Sequence, residues 1–130
     1  MTKKIFAEIS FGELLDKISI LEIKLKKIKD KKKLVFIKSE YKILIKIKQK
    51  VAMNNKIAFY FKNLKQVNIS LWNIENKIRK HEKLNKFNKD FIALARKVYL
   101  TNDKRSKIKF EINSLMKSTI VEMKSYSEYN

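Results

Sequence analysis

The sequence predicts an all-helical fold, an antiparallel, coiled-coil-like bundle of about four helices. Three observations predict it. The 130 residues contain no Pro and one Gly, Gly12, so the chain lacks the residues that turn-rich β folds require. Apolar residues recur at steps of three and four through most of the chain. The stretches between these repeats are short and polar, so each amphipathic helix must bury its stripe on a neighbour. With 45% hydrophobic residues, the chain is read as one domain, residues 1–130, large enough for a core.

The elements follow in order. Lys4–Ile9, KIFAEI, reads as a short strand. Ser10 starts the first helix, and Glu13 three residues on completes a capping box. Phe11, Leu14, Ile18, Leu21, Leu25 and Ile28 form an unbroken seam. Leu15, Ile20 and Ile23 widen that face, so this helix should touch more than one partner. Asp30 caps a second helix, with a turn at Asp30–Lys33. Leu34, Ile37, Tyr41, Leu44 and Val51 keep helical spacing there. Tyr41, Ile43, Ile45 and Ile47 also alternate with Lys as a strand would, but no Gly, Pro or hairpin signal bounds the run, and helix is preferred. The break falls at Asn54-Asn55.

A third helix carries Ile57, Tyr60, Leu64, Val67, Leu71, Ile74 and Ile78 and ends at His81. HEKLNKFN, His81–Asn88, is the loop. Asn88 caps a fourth helix, with Phe87 and Ile92 as its hydrophobic staple, and the helix runs to about Lys117. Ser118–Tyr126, STIVEMKSY, is rich in β formers and pairs, on this reading, with KIFAEI.

The net charge is +19, and only three of the 32 basic residues are Arg: Arg79, Arg96 and Arg105. Lys, Ile and Asn are residues that A/T-rich codons favour, which accounts for much of the Lys-for-Arg bias but not for the excess of Lys over Glu. The surplus is uneven. Residues 23–50 hold 12 basic and 2 acidic residues, more than half of the net charge. Lys42, Lys46, Lys48 and Lys50, interleaved with apolar residues, are the candidate nucleic-acid face, which would use phosphate contacts without sequence readout. The same pattern suits a peripheral contact with anionic lipid, and a solvated lysine face weighs about as much as both together.

Several chemistries find no support. Cys is absent, so disulfides and thiolate metal sites are excluded, and a reducing cytoplasm is the expected location. The single His, His81, has no ligand spacing around it and suits a helix end, so neither a metal nor a cofactor is expected. No apolar run is long enough to span a bilayer. No glycine loop or nucleophile motif is present. Gly12 either lets an anion approach the first helix or is a tolerated small residue.

The candidate site is a polar break. Thr101, Asn102 and Arg105 interrupt the fourth helix's seam of Phe91, Leu94, Val98, Ile108, Ile112 and Leu115. In a chain built on Lys, a retained Arg points to a place needing a planar fork of donors. Asn68, Trp72, Glu75, Arg79 and Glu82 form a polar stripe on the third helix. Arg96, Tyr99, Asn102, Asp103 and Arg105 stand across from it, with Glu13, Asp16 and Lys17 from the first helix. Arg105 should meet a carboxylate, with Glu75, Asp16 and Glu13 the candidates in that order, and Asn102 should complete the layer. A structural layer that fixes helix register is favoured over a catalytic one, and Glu13 with Asp16 as an acid/base pair is disfavoured.

Three segments, FGELLDKISILEIK at Phe11–Lys24, LWNIENKIR at Leu71–Arg79 and ARKVYLTNDKRSKIKFEIN at Ala95–Asn113, resemble a family of small bacterial and phage proteins classed as a domain of unknown function, with GEL-D-K-IL-E-K and VY-TND-R motifs. The resemblance implies a single all-helical domain and an association with surface-polysaccharide genes. The lysine-loaded middle, residues 31–65, departs from it. The expected role is a non-enzymatic helical interaction or accessory protein, with a protein partner or self-association. The alternatives are nucleic-acid binding through the lysine face and a small phosphate or sugar-nucleotide ligand at Arg79, Asn102 and Arg105.

Overall fold

The structure, a computed structural model, describes residues 3–118 and 120–129. Four helices follow in order: α1 (Phe11–Lys27), α2 (Lys31–Gln49), α3 (Asn55–Lys83) and α4 (Lys89–Met116). Each begins at a side-chain cap. Ser10 Oγ accepts from the Glu13 amide, Asp30 from those of Lys32 and Lys33, Asn54 from that of Ile57, and Asn88 from that of Phe91. The ambiguous run Tyr41–Lys48 is helical throughout.

The chain runs up, down, up, down. Leu15 of α1 packs with Ile57 and Leu64 of α3, and farther along Ile20 and Ile23 face Leu71 and Trp72, so α1 and α3 are parallel. α2 and α4 run the other way: Gly12 and Asp16 of α1 meet Asn113 and Arg105 of α4. Leu15, Ile57, Leu64 and Ile112, all fully buried, form the core, with Phe11, Tyr60, Phe61, Ile108 and Met116 packed around them. Each such side chain stabilises the fold by about 1.5–3 kcal/mol through burial. α1 sits centrally and packs on the other three helices, as its widened apolar face requires, whereas α2 approaches closely only α1.

Four details differ from the sequence-based expectation. The described residues contain no strand. Residues 5–9 lie beside α2 in a groove that Ser118 also lines, but the chain then leaves for α4, where Glu122 and Tyr129 bond to Lys109 and Asp103, and the two segments do not pair. Thr119, inside the expected second strand, lies outside the described residues. α3 continues past His81 to Lys83, which shortens the loop. Phe87 meets the ring of Phe91 at 5.2 Å rather than Ile92, which is exposed. The capping box is half formed, because the Glu13 carboxylate turns to Lys109 instead.

Candidate functional site

Where α1, α3 and α4 converge, the apolar core gives way to charge. Asp16 is 1% exposed and Ser19 is fully buried on α1, Asn68 is buried on α3, and Lys109 and Asn113 are buried on α4. Arg105 closes on Asp16 with both arms of its fork: Nε donates to Oδ1 at 2.9 Å, and a second guanidinium nitrogen donates to Oδ2. Asn68 Nδ2 donates to Asp16 Oδ1 at 2.9 Å and to Ser19 Oγ at 2.7 Å. Lys109 Nζ donates to Glu13 at 2.7 Å and to Glu122 at 2.9 Å, and lies 3.7 Å from Asp16. Asp16, Glu13, Glu122, Arg105 and Lys109 thus form one network of alternating charge that joins α1, α4 and the C-terminal segment.

The electrostatics follow from that geometry. Burial pushes the Asp16 carboxyl up, but hydrogen bonds from Arg105 and Asn68 and the charges of Arg105 and Lys109 outweigh it and hold the group below its ordinary value. Burial pulls Lys109 down, and its bonds to Glu13 and Glu122 override that and raise it. The bond to Asp16 raises Arg105, and the bond to Lys109 lowers Glu122. Asp16, Arg105, Lys109 and Glu122 are therefore charged at neutral pH. Among the described residues, no buried side-chain nitrogen or oxygen lacks a partner.

Gly12 explains how the helices come this close. A Cβ built on it would lie 2.7 Å from the Lys109 carbonyl oxygen and 2.8 Å from Asn113 Oδ1. The Gly12 amide instead donates to that Asn113 oxygen at 2.7 Å, and the Phe11 amide donates to Ser118 Oγ at 3.1 Å. Lys117, in the left-handed region at φ 51°, ends α4 and brings Ser118 back to this point, with the Ser118 amide on the Asn113 carbonyl. The first three amides of α1 are thus taken by side chains. An anion has no free amides there, so the close approach of α4, not anion binding, accounts for Gly12.

The residues picked from the sequence do not all come together. Glu13, Asp16 and Arg105 belong to the network. Asp16, second in the expected order, is the carboxylate that Arg105 meets. Lys17 is on its edge, 3.9 Å from Glu13. Asn102 lines a polar pocket of about 230 Å³ beside Arg105 and Lys109, but Asn68 takes the amide place beside Asp16. Trp72, Glu75 and Arg79 lie on the opposite side of Arg105, in a shallow groove of about 450 Å³ with Ile20 and Ile23, and Arg79 pairs with Glu75 at 3.6 Å in solvent. Arg96 and Tyr99 are exposed, and Tyr129 donates to Asp103 at 2.6 Å. Among the lysines, Lys42, Lys46 and Lys50 are exposed, while Lys48 lies 4.4 Å above the Phe61 ring.

Ser19, Lys109, Asn113 and Glu122 escaped sequence reasoning. The signal for two of them was present: Asn102, Arg105, Lys109 and Asn113 step by three, four and four along one face of α4. Lys109 was hidden by the abundance of Lys. Nothing in the sequence marked Glu122, which arrives by tertiary folding of the C-terminal segment.

The matched family model spans residues 5–129. The chain belongs to a family of unknown function, DUF6165. Comparison with curated proteins and with solved structures finds no match. Among the described residues, no cluster of His, Asp and Glu has the form of a metal site, and no helix is long and apolar enough to cross a membrane.

Proposed function

We propose that this chain is a non-enzymatic helical interaction protein of the cytoplasm. In this reading the charged network is a structural clamp and α2 is the docking element. The closed fork of Arg105 carries the reading. A guanidinium held by both carboxylate oxygens of a buried Asp is not available to a phosphate, and Lys109 is likewise held between two acids. Displacing Asp16 would leave a buried carboxylate without its main partner, which is costly. α2 adds the second support: it has no buried residue, so its sequence is under little demand from the core.

Ligand-dependent melting tests the reading. A ligand bound at about 100 times its Kd would stabilise the fold by about 2.7 kcal/mol. Inorganic phosphate and UDP-glucose, added at millimolar concentration, should leave Tm unchanged. A saturable rise that disappears in Arg105→Lys would place an anionic ligand at the fork and overturn the reading.

A further inference from the structure

The outward side of α2 carries a second apolar stripe that no helix covers. Phe36, Ile43 and Ile47 are spaced by seven and four, which puts them on one side of the helix, flanking the less exposed row of Leu34, Ile37, Tyr41 and Leu44. Phe36 is 78% exposed and Ile43 58%. The stripe continues onto a second element. Ile43 and Ile47 line a groove of about 690 Å³ with Leu44, with Leu14 of α1, and with Glu8, Ile5 and Phe6 of the N-terminal segment, the last two 92% and 88% exposed. Large apolar side chains thus stand in water together, from two segments distant in sequence. Isolated exposed residues need no explanation, but a contiguous set of this kind marks an interaction surface.

Charge decides among the occupants. Lys32, Lys42, Lys46 and Lys50 are exposed along the same helix, and Lys117 lines the groove. Glu40 is the only acid on α2 and lies within the stripe. A second copy would bring two strongly basic segments face to face. Nucleic acid offers phosphates to the lysines but nothing for Ile5, Ile43 and Ile47. An anionic bilayer surface satisfies both parts: apolar side chains enter the boundary between headgroups and acyl chains while lysine stems reach back to the headgroups.

We propose that α2 and residues 5–9 form a peripheral docking surface for anionic membranes, with Phe6, Phe36, Ile43 and Ile47 entering the interface and the α2 lysines binding lipid phosphates. The proposal names the partner class for the docking element assigned above and rests on that assignment. It is independent of the closed Arg105 fork, which ligand melting tests separately.

Vesicle co-sedimentation of the full chain tests it. Binding should occur to vesicles of about one part phosphatidylserine to two parts phosphatidylcholine, be absent on phosphatidylcholine alone, and weaken as salt rises past about 0.1 M. Changing Lys32, Lys42, Lys46 and Lys50 together to Gln should reduce binding at least about tenfold. The pair Phe36→Ser and Ile43→Ser keeps every charge and should reduce it by a similar factor, about tenfold. Phe36→Trp should give a blue-shifted emission on anionic vesicles beyond any change from Trp72 in the parent. No binding to anionic vesicles overturns the proposal. So does binding that falls with the Gln changes but ignores the Ser pair, because that describes a polycation adhering by charge alone. Tighter, salt-dependent binding to a DNA or RNA duplex that survives the Ser pair assigns the lysines to nucleic acid and also overturns it. Concentration-dependent self-association abolished by the Ser pair assigns the stripe to a second copy, with the same consequence.

Discussion

α1 and α2 are neighbours of similar length, 17 and 19 residues, both amphipathic, both capped by a short polar side chain and both ending in lysines. α1 buries eight residues and α2 none. The difference lies in what each helix offers its neighbours. α1 alternates Leu and Ile with Gly12, Asp16 and Ser19, which let α3 and α4 approach to hydrogen-bonding distance. α2 is apolar on two sides with lysines between them, so it covers α1 with one stripe and leaves the other in water. Small and polar residues on α1 specify how the helices meet, while the outward apolar residues on α2 do not.

The largest effect is expected at the fork. Arg105→Ala leaves Asp16 buried with Asn68 and Lys109 as its remaining partners. Removing one partner of a buried pair costs roughly 3–5 kcal/mol. The low end, about 3 kcal/mol, is expected here, because the Arg105 side chain is 28% exposed and Lys109 remains nearby. Urea unfolding measures this, and Arg105→Lys should recover only part of it by losing one arm of the fork. The sign of the pH effect follows from Asp16. Its folded value lies below its unfolded one, so its contribution is complete above about pH 4 and is lost as pH falls through the folded value. Arg105→Ala should therefore move acid unfolding to higher pH. A variant that melts like the parent would make Arg105 a surface residue and remove the contrast between the two helices.

The next effect is expected at Gly12. An added methyl meets backbone, the Lys109 carbonyl, as well as Asn113, so no rotamer change relieves it. Gly12→Ala should cost about 1–3 kcal/mol by forcing α1 and α4 apart. A gain in stability, as exposed helical Gly→Ala changes often give, would show that the close approach is not needed.

The sequence disclosed the fold because periodicity and caps are local signals. Ser10, Asp30, Asn54 and Asn88 each sit where a helix begins, and the seams of α1 and α3 mark which faces meet. It disclosed the site in part. Arg105 stood out as an Arg among lysines in an apolar seam, and its need for a carboxylate follows from burial alone. Which carboxylate was not legible, because spacing along one helix does not fix its height against another; Glu75 is on the wrong side of Arg105 and Asp16 is opposite it. Lys109 and Glu122 depend on the path of the C-terminal segment. The terminal strands failed for a related reason: β-forming composition in KIFAEI and STIVEMKSY says nothing about whether a free strand edge lies within reach.

The smallest effect is expected on α2, and it is the sharper test for being small. Phe36→Ser and Ile43→Ser remove two large apolar side chains, and in a core such a pair would cost several kcal/mol. Here the side chains are largely in water, so little transfer energy is lost, and Ser has about the same helix propensity as Phe and Ile. Each change should stay within about 0.5 kcal/mol in urea unfolding. Helix content by circular dichroism should match the parent, since Leu34, Ile37 and Leu44 still face α1 and the Tyr41 hydroxyl still donates to Glu22 at 2.8 Å. Leu44→Ala, one residue from Ile43 but less exposed and beside Phe11 and Leu14 of α1, is the control and should cost more than the pair, because it removes contact with α1. A pair that costs more than Leu44→Ala would mean that the outward stripe is packed in solution. α2 would then be part of the core after all, and the division between a helix that specifies the fold and one left free for a partner would not stand.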